Sequence, residues 1–201
     1  MRRKADRALS VGALLTGRPT AAAAEAVLSF WFIETKPYQW FRRDLSFDAE
    51  IASRFGALHE AARQGRLDVW RAHPRHALAL IIILDQFSRN LFRDTPGAFA
   101  SDAQGLAVAK DAIARRFDKL YAARERAFFY LPFMHSEALA EQERSVALFK
   151  ATLPDSMNLP FAIEHWEIIH RFGRFPHRNR ILGRASTPAE IAFLKAGGFN
   201  P

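Results

Sequence analysis

Apolar positions recur at helical spacing along almost the whole chain, and no segment alternates with the period of two that marks a strand. After Asp48, Ile51 is followed at four, seven and eleven residues by Phe55, Leu58 and Ala62, which makes one apolar stripe. Val27 to Ile33 (VLSFWFI) closes an earlier apolar helix. The segment HALALIIILDQFSRNLFR begins apolar on all sides, as an element surrounded by others must be. Its second half changes character: Gln86, Arg89, Asn90 and Arg93 share one polar face, with Asp85 one turn before Arg89. Charge on a central helix is costly unless paired, so this face needs partners.

The punctuation fits the same pattern. Gly65 ends the Asp48 helix, and Thr95-Pro96-Gly97 is a turn. Ser101-Asp102-Ala103-Gln104 is a capping box that predicts a helix to about Arg116. Pro132 forces a kink or an end in RERAFFYLPFM, and Ser136 is placed to cap a helix from Glu137 to about Lys150. The loop from Leu153 to Pro160 leads to a helix through His165 and Ile168. Thr187-Pro188-Ala189-Glu190 combines a capping box with proline at the first helical position. About eight or nine helices with short connections imply antiparallel pairs stacked on one another, an all-α fold.

A chain of 201 residues that is 49% apolar suits one well-buried core, here residues 25–201 as a single domain. Residues 1–24 read as a basic, disordered tail. Cysteine is absent from the sequence, which excludes disulfides and thiolate metal sites. The longest apolar run, Ala77 to Leu84, is too short to cross a bilayer, so a cytoplasmic protein without membrane contact is expected.

The formal charge of +8 is local. Arg2, Arg3, Lys4, Arg7 and Arg18 against Asp6 give the tail a net +4, and residues 168–189 carry five arginines and no acid, which leaves the remainder near neutral. Such focusing suits a small anion site better than a phosphate-tracking face, so nucleic acid is the disfavoured partner. The second basic stretch, HRFGRFPHRNRILGR, also holds Phe172, Phe175, Ile181 and Leu182, so it is expected to pack against the domain as the rim of a site.

Arginine offers a planar fork of donors to carboxylate or phosphate. Arg174, Arg178, Asn179 and Arg184 from the loop, and Asp85, Gln86, Arg89, Asn90 and Arg93 from the central helix, are the candidate ligand contacts. Arg178 is the strongest, since the loop has no local acid to neutralise it. His135, Glu137 and His177 are the candidates for proton transfer, each at a helix end or in a loop. His165 is a further candidate ligand contact, although it shares the apolar stripe of Phe161, Ile168 and Phe172, where a hydrogen-bonded core histidine is the favoured reading. The histidine and carboxylate spacing matches no metal motif, and no nucleophile elbow, phosphate loop or dinucleotide fingerprint is present; no metal or cofactor is expected.

LALIIILDQFSRNLFR, FFYLPFMHSEAL and HRFGRFPHRNRILGR, in that order, with FWF near the start and TPAEIAFL near the end, resemble the bacterial family catalogued as domain of unknown function 924 over residues 27–199. The resemblance implies a tetratricopeptide-like stack of helix hairpins wound into a short superhelix with a concave face, and implies no activity. One departure is visible: the family pattern has proline where Ser88 stands in DQFSRN, a position to which the sequence assigns no role.

These residues together predict one polar pocket where the His135 segment, the Arg178 loop and the end of the central helix meet. Its expected ligand is a small anionic or phosphorylated metabolite, held by arginines while His135, Glu137 and His177 orient it or move a proton. The competing expectations are an interaction module whose concave face receives an acidic peptide and, less favoured, an RNA-binding surface.

Overall fold

The computed structural model describes residues 18–199, and the basic tail up to residue 17 lies outside them. Among the described residues the chain is all-α, with no strand and no helix long and apolar enough to cross a membrane. Helix α1 (Ala21–Ser29) is capped by Thr20, whose hydroxyl accepts from the Ala23 N–H, and its first residue lies four before the domain boundary expected from composition. It runs on as a wide π-helical turn, Phe30–Glu34. Helix α2 (Leu45–Arg63) is capped by Asp44 and followed by Gly65 in the left-handed conformation, and its predicted stripe of Ile51, Phe55, Leu58 and Ala62 is buried.

The central segment is one continuous helical rod with an irregular middle: α3 (Pro74–Ile81), a π-helical turn (Ile82–Phe87) and α4 (Ser88–Leu91). Every residue from Ala77 to Ser88 is buried. Helix α1 packs on α3, α2 packs on the π turn and α4, and α5 (Asp102–Ala114) covers α3 from another side. Being surrounded in this way is what the unbroken apolar run requires.

The chain from Arg124 to Met134 is broken rather than one helix: α6 (Ala123–Arg126), a tight turn, then α7 (Leu131–Met134) with Pro132 in its first turn. Helix α8 (Leu139–Thr152) begins two residues later than predicted. The Ser136 hydroxyl accepts from the Ala138 N–H before the helix, and Glu137 is drawn aside by partners described below. Helix α9 (Asn158–Phe172) packs antiparallel against α8 and stops at Gly173, which takes the left-handed conformation that glycine adopts without strain. Helix α10 (Pro188–Lys195) has the full predicted capping box of Thr187 and Glu190.

One aromatic-rich core spans residues 23–162. A smaller cluster of Ile168, Ile169 and Phe175, with Phe172, Phe193 and Phe199 packed on it, lies under the arginine loop and fastens the loop to the end of α9. That fastening positions the site.

Candidate functional site

The site is built on the irregular turn of the central rod. A π turn admits an extra residue and changes the phase of the helix after it. The predicted polar face is split as a result: Asp85 meets His135 at the end of α7, with Gln86 donating to it and Arg89 reaching Asp102 at the start of α5, while Asn90 and Arg93 turn toward α2. There the Asp48 carboxylate accepts from Arg93 at 2.7 and 2.8 Å and from the Asn90 amide at 2.8 Å. These two candidates are structural ties away from the cleft, and the acid that fixes them lies more than forty residues away in the chain.

Asp85 is 1% exposed and bound on all sides. His135, at the end of α7, brings Nδ1 to 2.7 Å from Asp85 Oδ1, Gln86 donates to Oδ2 at 2.6 Å, and Arg89 lies at 3.4 Å. Burial alone would raise the carboxyl's pKa, but His135 and Arg89 hold it well below the usual carboxylate range. Burial and the Arg89 charge together lower the pKa of His135, which is therefore neutral. An ionised Asp85 requires the proton on Nδ1, so the lone pair of His135 is on Nε2. That nitrogen has no hydrogen-bond partner among the described residues, and the side chain keeps 15% exposure.

Asp102 joins the two poles. Arg89 donates to its two oxygens at 3.1 and 3.3 Å, and Arg178 donates to Oδ2 at 3.3 Å. Arg178 also donates to the His135 carbonyl at 3.1 Å. Its guanidinium sits between the rings of Phe99 (4.5 Å) and Phe175 (4.4 Å), only 6% exposed. Burial and the neighbouring Arg89 pull its pKa down to about 10. The loop's lack of acid, which singled out Arg178, does not leave it unpaired, because Asp102 comes from the start of α5. Its Nε is buried with no partner among the described residues.

Arg174 and Arg184 are bound within the fold, while Arg180 is exposed. Arg184 forks onto Glu137 at 2.7 and 2.9 Å and donates to Asn179 Oδ1 at 2.9 Å; the Phe175 N–H donates to Glu137 at 2.8 Å. Desolvation opposes, but Arg184 and Phe175 N–H keep Glu137 ionised, which makes it a strut where a proton carrier was expected. The Asn179 amide donates to Ser186 at 3.1 Å. Arg174 forks onto Glu190 at 2.6 and 2.8 Å, so Glu190 ties the loop to α10 as well as capping it, and its pKa falls to about 2.

A cleft of about 390 Å³ opens over Asp102, His135, Ser136, Glu137 and Arg178, between apolar walls that include Phe99 and Leu182. Asp85, Asp102 and Glu137 balance Arg89, Arg178 and Arg184, so the site is electroneutral while His135 is neutral. His165 lies behind it, its ring centre 6.3 Å from that of His135, with Nδ1 donating to the Phe161 carbonyl at 2.7 Å. His177 does not line the cleft; it rests near Phe175 and Phe199 and makes no hydrogen bond among the described residues. Burial pushes the pKa of both down to about 3. Among the described residues no three His, Asp or Glu side chains gather to hold a metal ion.

Three contributors were hidden in the sequence. Asp102 reads there as part of a capping box, Phe175 as one of the residues that pack the loop on the domain, and Phe99 carries no signal. The only signal for Asp102 was the demand for an acid opposite an arginine loop that has none.

None of the curated proteins is significantly similar to the chain. A solved structure of a protein of unknown function from Agrobacterium tumefaciens is similar at 42% identity, over 89% of this chain and 99% of that one, with a TM-score of 0.85. The profile of a family described as bacterial protein of unknown function (DUF924) matches residues 27–198, and the chain belongs to that family.

Proposed function

We propose that the cleft binds a small ligand and that His135 moves a proton on it. The observation that carries this reading is the Asp85–His135 contact at the floor of the cleft. A neutral imidazole whose Nδ1–H is held by a buried carboxylate has its Nε2 lone pair fixed in direction, the arrangement of a general base with its orienting group. Asp85 orients, and it offsets the charge that His135 gains on taking a proton. Arg178, held by two aromatic faces and Asp102, is the contact for one anionic or hydrogen-bond-accepting group of the ligand. The balanced charge of the site favours a ligand with a single such group and an apolar body over a multiply phosphorylated one.

Incubating the protein with a small-molecule extract of bacterial cells, followed by mass spectrometry, tests this. A metabolite consumed by wild type, untouched by His135→Gln and consumed with a displaced pH profile by Asp85→Asn is expected. Equal consumption by His135→Gln, or none by wild type, would sink the reading.

The second reading, an acidic peptide received by a tetratricopeptide-like concave face at this same place, has less support. The arginines it would use are already spent on Asp102, Glu137 and Glu190.

A further inference from the structure

At the other end of α8, about 20 Å from His135 along a fourteen-residue helix, lies a second cleft that this chemistry does not touch. It also measures about 390 Å³. Its walls come from three places: Trp40 and Phe41 after α1, Arg124 and Phe128 around α6, and the segment from Leu153 to Asn158 between α8 and α9.

The floor is aromatic and rigid. The Trp40 indole N–H donates to the Trp31 carbonyl at 2.9 Å, and the Phe128 ring stands perpendicular to Trp40 with centres 5.0 Å apart. Arg124 lies 5.7 Å over the Trp40 ring, held there by donation to the Phe32 carbonyl. Among the described residues its one ion-pair partner is Glu125 at 3.5 Å, so it keeps donors to spare, unlike the arginines around His135. Large apolar side chains stand in water here: Phe41 of the lining is 61% exposed, and Met157, between the lining residues Ser156 and Asn158 in the chain, is 85% exposed. Arg42, beside Phe41, is exposed as well.

We propose that this cleft docks a peptide segment of a protein partner. One aromatic or long aliphatic side chain packs onto the joined faces of Trp40 and Phe128, and an adjacent Asp or Glu pairs with Arg124. The charge points this way because Arg124 stands beside the aromatic walls and forms no ion pair with Asp155, the acid of the cleft's lining, while the exposed Arg42 follows Phe41 in the chain. An enclosed small ligand would leave Phe41 and Met157 in water, whereas a peptide lying across the opening covers them. A bilayer calls for protruding apolar groups, and here the aromatic surface is concave.

Random peptides displayed on phage and selected on the full chain, with counter-selection on Arg124→Glu, test the proposal. Enriched sequences should pair an aromatic or leucine anchor with a neighbouring acid. Their synthetic forms, followed by fluorescence anisotropy, should bind roughly tenfold more weakly to Arg124→Glu and to Phe41→Ser. Binding to His135→Gln should be unchanged, which separates this result from the fate of the catalytic reading. Both substituted residues are exposed, and thermal melting verifies that the variants fold. Enriched sequences without acids, binding indifferent to both variants, no enrichment at all, or attachment to phosphatidylserine vesicles without peptide binding would each overturn it.

Discussion

His135 and Asp85 are fifty residues apart in the chain and 2.7 Å apart in the fold, Nδ1 to Oδ1, and the contact exists because a π turn in the central rod aims Asp85 at the end of α7. The same carboxylate takes Gln86 and Arg89, so its charge is part of a buried network rather than a surface pair.

Asp85→Asn therefore keeps the shape and removes the charge. Arg89 retains Asp102 and the main-chain carbonyl of residue 85, and the Nδ1–H of His135 loses its anionic acceptor. Breaking one side of a buried pair costs about 3–5 kcal/mol, partly relieved here by Asp102. Urea unfolding should show a loss in the lower half of that range. Nitrogen chemical shifts of His135 should report the Nδ1–H tautomer in wild type and a mixture in the variant. A variant as stable as wild type would mean that Asp85 is not charged.

Arg178→Lys preserves charge but not planarity. The ammonium cannot lie flat between Phe99 and Phe175 while reaching both Asp102 and the His135 carbonyl. A loss of about 2 kcal/mol is expected, of the size of a desolvated cation–aromatic contact. In a double-mutant cycle with Phe99→Leu, measured by urea unfolding, the two changes should couple by roughly 1 kcal/mol; simple additivity would remove the stacking account.

Local chemistry was legible in the sequence and long-range pairing was not. Thr187 and Glu190 sit three residues apart, so their capping box could be read directly. Arg174 meets Glu190 sixteen residues on, Arg184 meets Glu137 across forty-seven, and Arg178 meets Asp102 across seventy-six. Spacing says nothing about such partners, so the arginine loop looked free when it was mostly neutralised. The pocket itself was legible because its three polar clusters interrupt apolar helices, and buried charges must converge. The split of the Gln86–Arg93 face was hidden, since nothing in LIIILDQFSRN marks a π turn over an α turn.

Ser88 shows the same limit. The sequence assigned it no role, yet it is fully buried and its hydroxyl lies 2.7 Å from the Leu84 carbonyl, 2.5 Å from Ser101 and 2.8 Å from His59 Nε2. Ser101, the expected helix cap, instead turns inward to the same carbonyl. Ser88→Ala should cost about 1–2 kcal/mol by leaving His59 without its partner. Chemical denaturation checks this, and a change below about 0.5 kcal/mol would show that the contact carries no net stability.

Acid should destabilise the protein through its buried histidines. Desolvation lowers His59 from 6.5 to about 4, and His165 and His177 to about 3. Between those values and 6.5 the unfolded chain binds protons that the folded chain refuses, so stability rises with pH across this window. The contribution is complete above about pH 6.5 and is lost as pH falls toward 3, by up to about 1.4 kcal/mol per pH unit for each histidine, less for the partly exposed His177. Carboxylates held low, such as Glu190 near 2, add a loss of the same sign only below 4.5. Unfolding free energies measured from pH 7 down to pH 5 isolate the histidines. His165→Phe, whose ring joins Phe175 and Phe199, should lower the slope by close to one proton; a flat profile in wild type would mean that these imidazoles reach water.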